Sequence, residues 1–189
     1  RTIETDVIVL ACGSKTARRL LSGIDKTATE LQFSNLSRTT ASTIELGLDS
    51  KPLGERQAIV DVDQKMAVID YIGVQPRLGP HGSHLAAIAV GGLEHDEGPT
   101  TYASSQERMA ALETFLDARA LGWKNHIIQE GRQSKITLHE TAGQQLDPLA
   151  FAEHGVILAG TWVENEHSLA DGAVAAGRKA GRLITKIQS

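Results

Sequence analysis

A single cysteine, Cys12, leaves no partner for an internal disulfide and no C-x-x-C pair. A reducing compartment fits that usage. Aromatic residues are scarce, with two Trp, two Tyr and three Phe, too few for a platform on which bases stack. Basic excess is also missing: 19 Lys and Arg stand against 23 Asp and Glu, a formal net charge of −4. Such a surface does not condense on phosphate backbones, which argues against a general nucleic-acid binder. Apolar runs such as Leu85–Val90 fall far short of the ~20 residues that span a bilayer. No charged region followed by an apolar one opens the chain, so no secretory signal is read there. None of the 18 glycines forms G-x-G-x-x-G after a strand, and no acidic ribose partner ~20 residues beyond one can be assigned.

What is present is the balance of a soluble globular protein, 41% apolar and 22% charged over 189 residues. A soluble, cytoplasmic chain is expected. It opens on Arg1 and is in an apolar run within a few residues, the look of a cut end. Asp6 to Cys12 is a β-branched run that predicts a strand buried on both faces, as in parallel sheets. Gly13 ends it, and Ser14 is the expected N-cap of a helix over Lys15 to Ser22.

The middle is sheet-rich. Period-2 patterns predict strands at Thr39–Leu48, Gln57–Val62, Ala67–Ile72 and His84–Val90, separated by Gly, Pro and Asp clusters. Ser104-Ser105-Gln106-Glu107 is a capping box opening a helix over Ser105–Ala120, with Met109, Leu112, Phe115 and Leu116 on one face and Gly122 closing it. Two further strands are expected at Asn125–Glu130 and Lys135–His139. The end returns to an α/β pattern, with a buried strand at Gly155–Ala159 and then a helix from Leu169 to about Ile187 capped by Ser168. Its expected core stripe is Leu169, Ala173, Ala176, Ala180, Leu183, Ile184 and Ile187, and Gly172, Ala176 and Ala180 align so that another backbone can approach closely.

Most chemistry-bearing residues have a plain reading. Gly13-Ser14-Lys15-Thr16 follows a strand, but Lys15 does not directly follow the glycine and Ile8 sits where a P-loop needs its first Gly. A capped turn with Lys15 in solvent is the better reading. His81, His84 and the Glu94-His95-Asp96-Glu97 run lack the spacing that fixes a metal geometry, so no metal site is assigned. Ser83 lies outside any G-x-S-x-G elbow. Asp61 and Asp63 are read as exposed carboxylates on one strand face, and His139-Glu140 as either a satisfied pair or a catalytic one. No general base is identified; His84 and His139 are titratable candidates only.

The exception is the segment from Gly155 to Arg178: a buried strand, a tight turn at Gly160, then a helix whose first turn is built of small residues. Free amides and the positive dipole end there suit an anionic or electron-rich group, although close packing without a ligand explains the spacing equally well. Leu158–Val163 and Leu169–Arg178 resemble the C-terminal FAD motif of the flavin amine oxidase and phytoene desaturase superfamily. The likeness is closest to the phytoene dehydrogenase-like oxidoreductases, with their L-A-G-D-W-V and L-A-D-A-A-x-A-S-G-R pattern. Asp6–Cys12 resembles the strand that returns such chains to the FAD domain.

The resemblance implies an α/β fold with an α+β middle. The two ends would form a partial FAD-binding layer around a mixed or antiparallel substrate domain, divided as residues 1–35, 36–145 and 146–189. It implies FAD as cofactor. Gly160 would permit close approach, Thr161 would stand at the family's acidic ribityl or pyrophosphate position, and Trp162 would line the flavin edge. Leu169 opens the helix, Ala170 and Asp171 would turn amides toward the pyrimidine end, and Gly172 and Ala173 would keep the surface flat. Thr161 departs from the pattern, since a carboxylate makes the stronger bond. The implied chemistry is hydride removal from a C–H bond of a small or lipophilic organic substrate. The middle sheet would cover the flavin face and set substrate choice. Partners expected are that substrate and the missing N-terminal half of the FAD domain or a second copy. A flavin amine oxidase proper and a non-catalytic α/β binding module are the alternatives.

Overall fold

A computed structural model of the chain describes residues 2–34, 36–79, 81–93, 102–142, 146–164, 166–167 and 169–187. In chain order the elements are β1 (Ile8–Leu10), α1 (Ser14–Leu21), α2 (Lys26–Phe33), β2 (Leu36–Leu48), β3 (Ala58–Asp61), β4 (Met66–Asp70), α3 (Tyr71–Val74), β5 (Ser83–Leu93), α4 (Ser105–Arg119), β6 (Ile127–Ala142), β7 (Val156–Leu158) and α5 (Leu169–Ile187). They fall into two compact units: the chain ends, Arg1–Arg38 with His139–Ser189, and the middle, Thr39–Leu138. The class is mixed α/β, with one parallel and one antiparallel sheet.

The end unit is built on a two-stranded parallel sheet in which Ile8, Val9 and Leu10 pair with Val156, Ile157 and Leu158. All three residues of β7 are buried, because the strand has helices on both sides. Val156 and Leu158 pack with Ala17 and Leu21 of α1, Phe33 of α2, Phe151 and Trp162, while Ile157 and Ala159 meet Ala180 of α5. β1 departs from the expectation of burial on both faces. Ile8 is 49% and Val9 37% exposed, since β1 is the outer strand of a pair and not the middle of a wide sheet. Gly155 precedes β7 at φ +68, and a Cβ there would lie 2.6 Å from the carbonyl oxygen of Asp6. Only glycine fits both demands.

On α5 the buried face is the small-residue line Gly172, Ala176 and Ala180, with Leu183 and Ile184 partly buried beside it. Leu169 is instead 56% exposed, and Ala173 also faces solvent. Ala176, Ala180, Leu183 and Ile184 lie on the expected stripe, and the departure is at the first turn, where the helix docks through Gly172 and needs no leucine. The proposed cap Ser168 lies outside the described residues. α2 has no counterpart among the expected elements; Asp25 caps it, accepting from the Ala28 N–H at 2.9 Å.

In the middle unit the sheet order is β3-β4-β5-β2-β6. Alternate residues Ile44, Leu46 and Leu48, Met66 and Val68, and Leu85, Ala87 and Ala89 point to one face. There they pack with Leu112, Phe115 and Leu116 of α4 and with Trp123. The capping box forms: the Ser104 Oγ accepts from the Glu107 N–H at 3.0 Å, and the Glu107 carboxylate reaches back to the Ala103 N–H at 2.8 Å. Arg108, one turn into α4, is buried. Its guanidinium donates to the Ser42 and Thr40 hydroxyls at 2.9 and 3.3 Å and to the Ser134 carbonyl at 3.4 Å. Burial lowers its pKa.

Three strand expectations change. β4 stops at Asp70, whose buried carboxylate accepts from Ile72 N–H, Ser83 Oγ and His84 N–H at 3.1, 2.9 and 3.2 Å, and so turns the chain into α3. The two strands expected around Gly131 are one continuous β6, because that glycine sits in ordinary extended backbone and does not break the ladder. Asp61 is not on an exposed face beside Asp63. It ends β3, accepts from Gln64 N–H at 2.9 Å and stands 4.0 Å from Arg119 of α4.

Candidate functional site

The β7–α5 turn is where the resemblance places a cofactor. Gly160 has φ +149, and a Cβ there would lie 2.5 Å from the indole nitrogen of Trp162, so the glycine makes room for that ring. Trp162 is buried. Its indole N–H donates to the Cys12 carbonyl at 3.1 Å and its ring lies 5.5 Å from that of Phe33. The side chain braces the turn after β7 against the turn after β1. Thr161 is half-buried. Ala170, Asp171 and Ala173 are exposed at the first turn of the 19-residue helix, Gly172 is buried among them, and Leu169 stands at φ +53. The turn therefore offers a small-residue, solvent-facing backbone at a helix N-terminus, where N–H groups and the dipole favour negative charge. The resemblance sets the flavin end of FAD against those residues; Trp162, which it set along the flavin edge, is buried and holds the turn.

The N-terminus of α1, in the same unit, is filled by protein. Ser14 is not the cap of α1, which is Gly13, but its first residue, and it is fully buried. Glu140 supplies what a phosphate would in a P-loop: its carboxylate accepts from the Ser14 N–H at 3.1 Å and from the Ser14 Oγ at 2.6 Å. Arg38 completes the set, donating to Glu140 at 3.0 Å and to the Ser14 Oγ at 3.0 Å. An internal carboxylate in that position leaves no room for an external anion. Glu140 is thus the satisfied partner of the two readings open for it, and Lys15 is exposed.

In the middle unit the sheet face opposite α4 is left open by the described elements except at its His84 end, where Tyr71 and Ile72 of α3 and Leu78 border it. Thr43 and Glu45, Ala67 and Ile69, Ala86 and Ile88, and Ala58 and Val60 form it, alternating with the core residues. It holds two adjoining depressions of about 360 and 440 Å³; the second runs toward His84, Ile72 and Gln129. Gly47 and Gly131 face the second one with no side chain, which keeps its floor low. The His84 ring lies against that of Tyr71, centroids 5.4 Å apart and tilted by 57°, and His81 is exposed. Among the described residues no group of three or more His, Cys, Asp and Glu could hold a metal. The Glu94–Glu97 run lies outside them. No helix of the described residues is long and apolar enough to cross a membrane. Sequence reading did not single out the open sheet face, because its Ala, Ile and Val residues look like core until α4 is seen to take only one side.

No protein-family model matches the chain, and no curated protein matches it. Solved structures do. An oxidoreductase from Methanosarcina mazei superposes with a TM-score of 0.61 at 15% identity, over 97% of this chain and 44% of that one. Cyclohexylamine oxidase from Brevibacterium oxydans gives 0.60 at 15% identity, over 96% of this chain and 43% of that one. The likeness is one of fold. The chain spans less than half the length of either structure.

Proposed function

We propose that the chain is the C-terminal portion of an FAD-dependent oxidoreductase of the phytoene dehydrogenase-like type, acting on a C–H bond of a small or lipophilic organic molecule. The observation that carries this reading is the β7–α5 turn: a buried parallel strand delivers the chain, through Gly160, to a long helix whose first turn exposes Leu169, Ala170 and Asp171 beside a buried Gly172. The match in fold to two oxidoreductases along nearly the whole chain supports it.

Gly160 and Thr161 would stand along the cofactor's ribityl region, and Ala170, Asp171 and Ala173 along its pyrimidine end. Bound FAD would supply the redox chemistry by accepting a hydride. The protein's own part there is electrostatic, since the N-terminus of α5 stabilises negative charge placed against it. The middle unit supplies the substrate surface, its open apolar face taking up the non-reacting body of the substrate.

The test is spectroscopic. The product of the full-length gene should carry a bound yellow chromophore, or regain it when FAD is added, and anaerobic substrate should bleach it. A protein that neither holds nor takes up FAD would leave the non-catalytic α/β module as the better description.

A further inference from the structure

We propose that the open sheet face of the middle unit binds an apolar cation, with Glu45 as the counter-charge that selects it. The strand register sets the side chains of this face in rows. Ala58 pairs with Ile69, Ile69 with Ala86, and Ala86 with Glu45, so one row crosses three apolar positions and ends on a carboxylate. The row beside it, Val60, Ala67, Ile88 and Thr43, widens the strip without adding a charge. Neighbouring strands lie about 4.8 Å apart, so the apolar part from Ala58 to Ala86 measures about 10 Å and Glu45 sits about 5 Å beyond it.

Glu45 borders both depressions. It is exposed, and among the described residues it has neither a hydrogen bond nor an ion pair. Its nearest cross-strand neighbours on this face are Ala86 and Gly131, one apolar and one without a side chain. The other titratable groups along the second depression are Glu130, which Arg132 already pairs, the exposed His81, and His84, which lies against the Tyr71 ring. A ligand lying along the row thus meets apolar contact over its body and one unpaired negative charge at its end. An ammonium satisfies that arrangement, an alcohol loses the charge-assisted part of the bond, and a carboxylate is repelled.

The biological role of such a ligand, as substrate, rests on the function proposed above; its binding does not. The intact chain at pH 8 is titrated separately with octylammonium, octanol and octanoate while the methyl signals of Ile69, Ala86 and Ile88 are followed by NMR. Octylammonium should shift those signals saturably and bind about fivefold more tightly than octanol, the size of one partly solvated ion pair, with octanoate weakest. Glu45→Gln should reduce octylammonium to the octanol level, and Glu45→Asp should keep part of the preference. Equal affinity for amine and alcohol, an unaffected Glu45→Gln, or no saturable shift would overturn the proposal. So would shifts that depend on protein concentration alone, which mark the face as a self-association surface. Failure of FAD uptake with this preference intact would instead count against the oxidoreductase reading only.

Discussion

The two units bury their sheets in opposite ways. In the end unit β7 is covered on both faces and β1, its partner strand among the described residues, is left half-exposed. In the middle unit five strands share one well-filled core under α4, and the other face stays open. A strand sandwiched between helices has its freedom at its ends, and there the turns after β1 and β7 lie side by side, joined by the Trp162 bond to Cys12. A sheet covered on one side has its freedom across a whole face. The first arrangement suits recognition by backbone at a helix terminus, the second recognition by area.

The sharpest way to break this comparison is to empty the core of one unit. Leu116→Ala removes a fully buried side chain of α4 and should cost about 3 kcal/mol. Hydrogen exchange should then accelerate in β4 and β5. A matching acceleration in β7 would mean that the two cores do not behave as separate ones.

Gly155→Ala acts on the end unit alone. It places a methyl 2.6 Å from the Asp6 carbonyl at a φ of +68, and about 2–3 kcal/mol should be lost, read by chemical denaturation. A third substitution, Glu140→Ala, strips the N-terminus of α1 of its anion and leaves the Ser14 N–H, its hydroxyl and Arg38 without their acceptor. The expected loss is about 2 kcal/mol, and a double-mutant cycle with Arg38→Ala should return a coupling of about 1 kcal/mol. Added phosphate or sulfate that restored the lost stability would confirm that Glu140 occupies an anion position.

The smallest effect belongs to Asp117 in the middle unit. Lys124 donates to its carboxylate at 2.7 Å, Trp123 donates at 2.9 Å, and both hold its pKa below the usual aspartate range. A carboxylate lowered on folding contributes stability that is present above its unfolded value, about 3.9, and is lost as pH falls through the lower folded value. Unfolding free energies of wild type and Asp117→Asn should therefore converge below pH 4 and separate above it. Parallel curves would remove the assignment.

Much of the fold was legible because hydrophobic period and turn chemistry agree along most of the chain. The capping box at Ser104, the alternation in β2 and β5 and the small-residue line of α5 all fold as their patterns dictate. The departures have one cause, which is that a strand or helix pattern does not say what lies beyond its neighbour. β1 reads as doubly buried, yet among the described residues it pairs with β7 alone; Asn125–Glu130 and Lys135–His139 read as two strands, yet the backbone stays extended between them. Ser14 reads as a cap because nothing local announces that Glu140, 126 residues away, will reach the same amide. Of the candidate site, Gly160 and the first turn of α5 were visible in the sequence. The open sheet face was not, since burial on one side and on two give similar runs of Ala, Ile and Val.

The central claim is that the end unit presents a flavin-binding backbone at the start of α5 while the middle unit presents an apolar ligand surface. Hydrogen exchange of the full-length gene product with and without FAD tests it most directly. The account predicts slower exchange at Ala170–Ala173 and around Gly160, with the amides of β4 and β5 beneath α4 unchanged. FAD bound with no protection at the start of α5, or protection confined to the middle sheet, would contradict it.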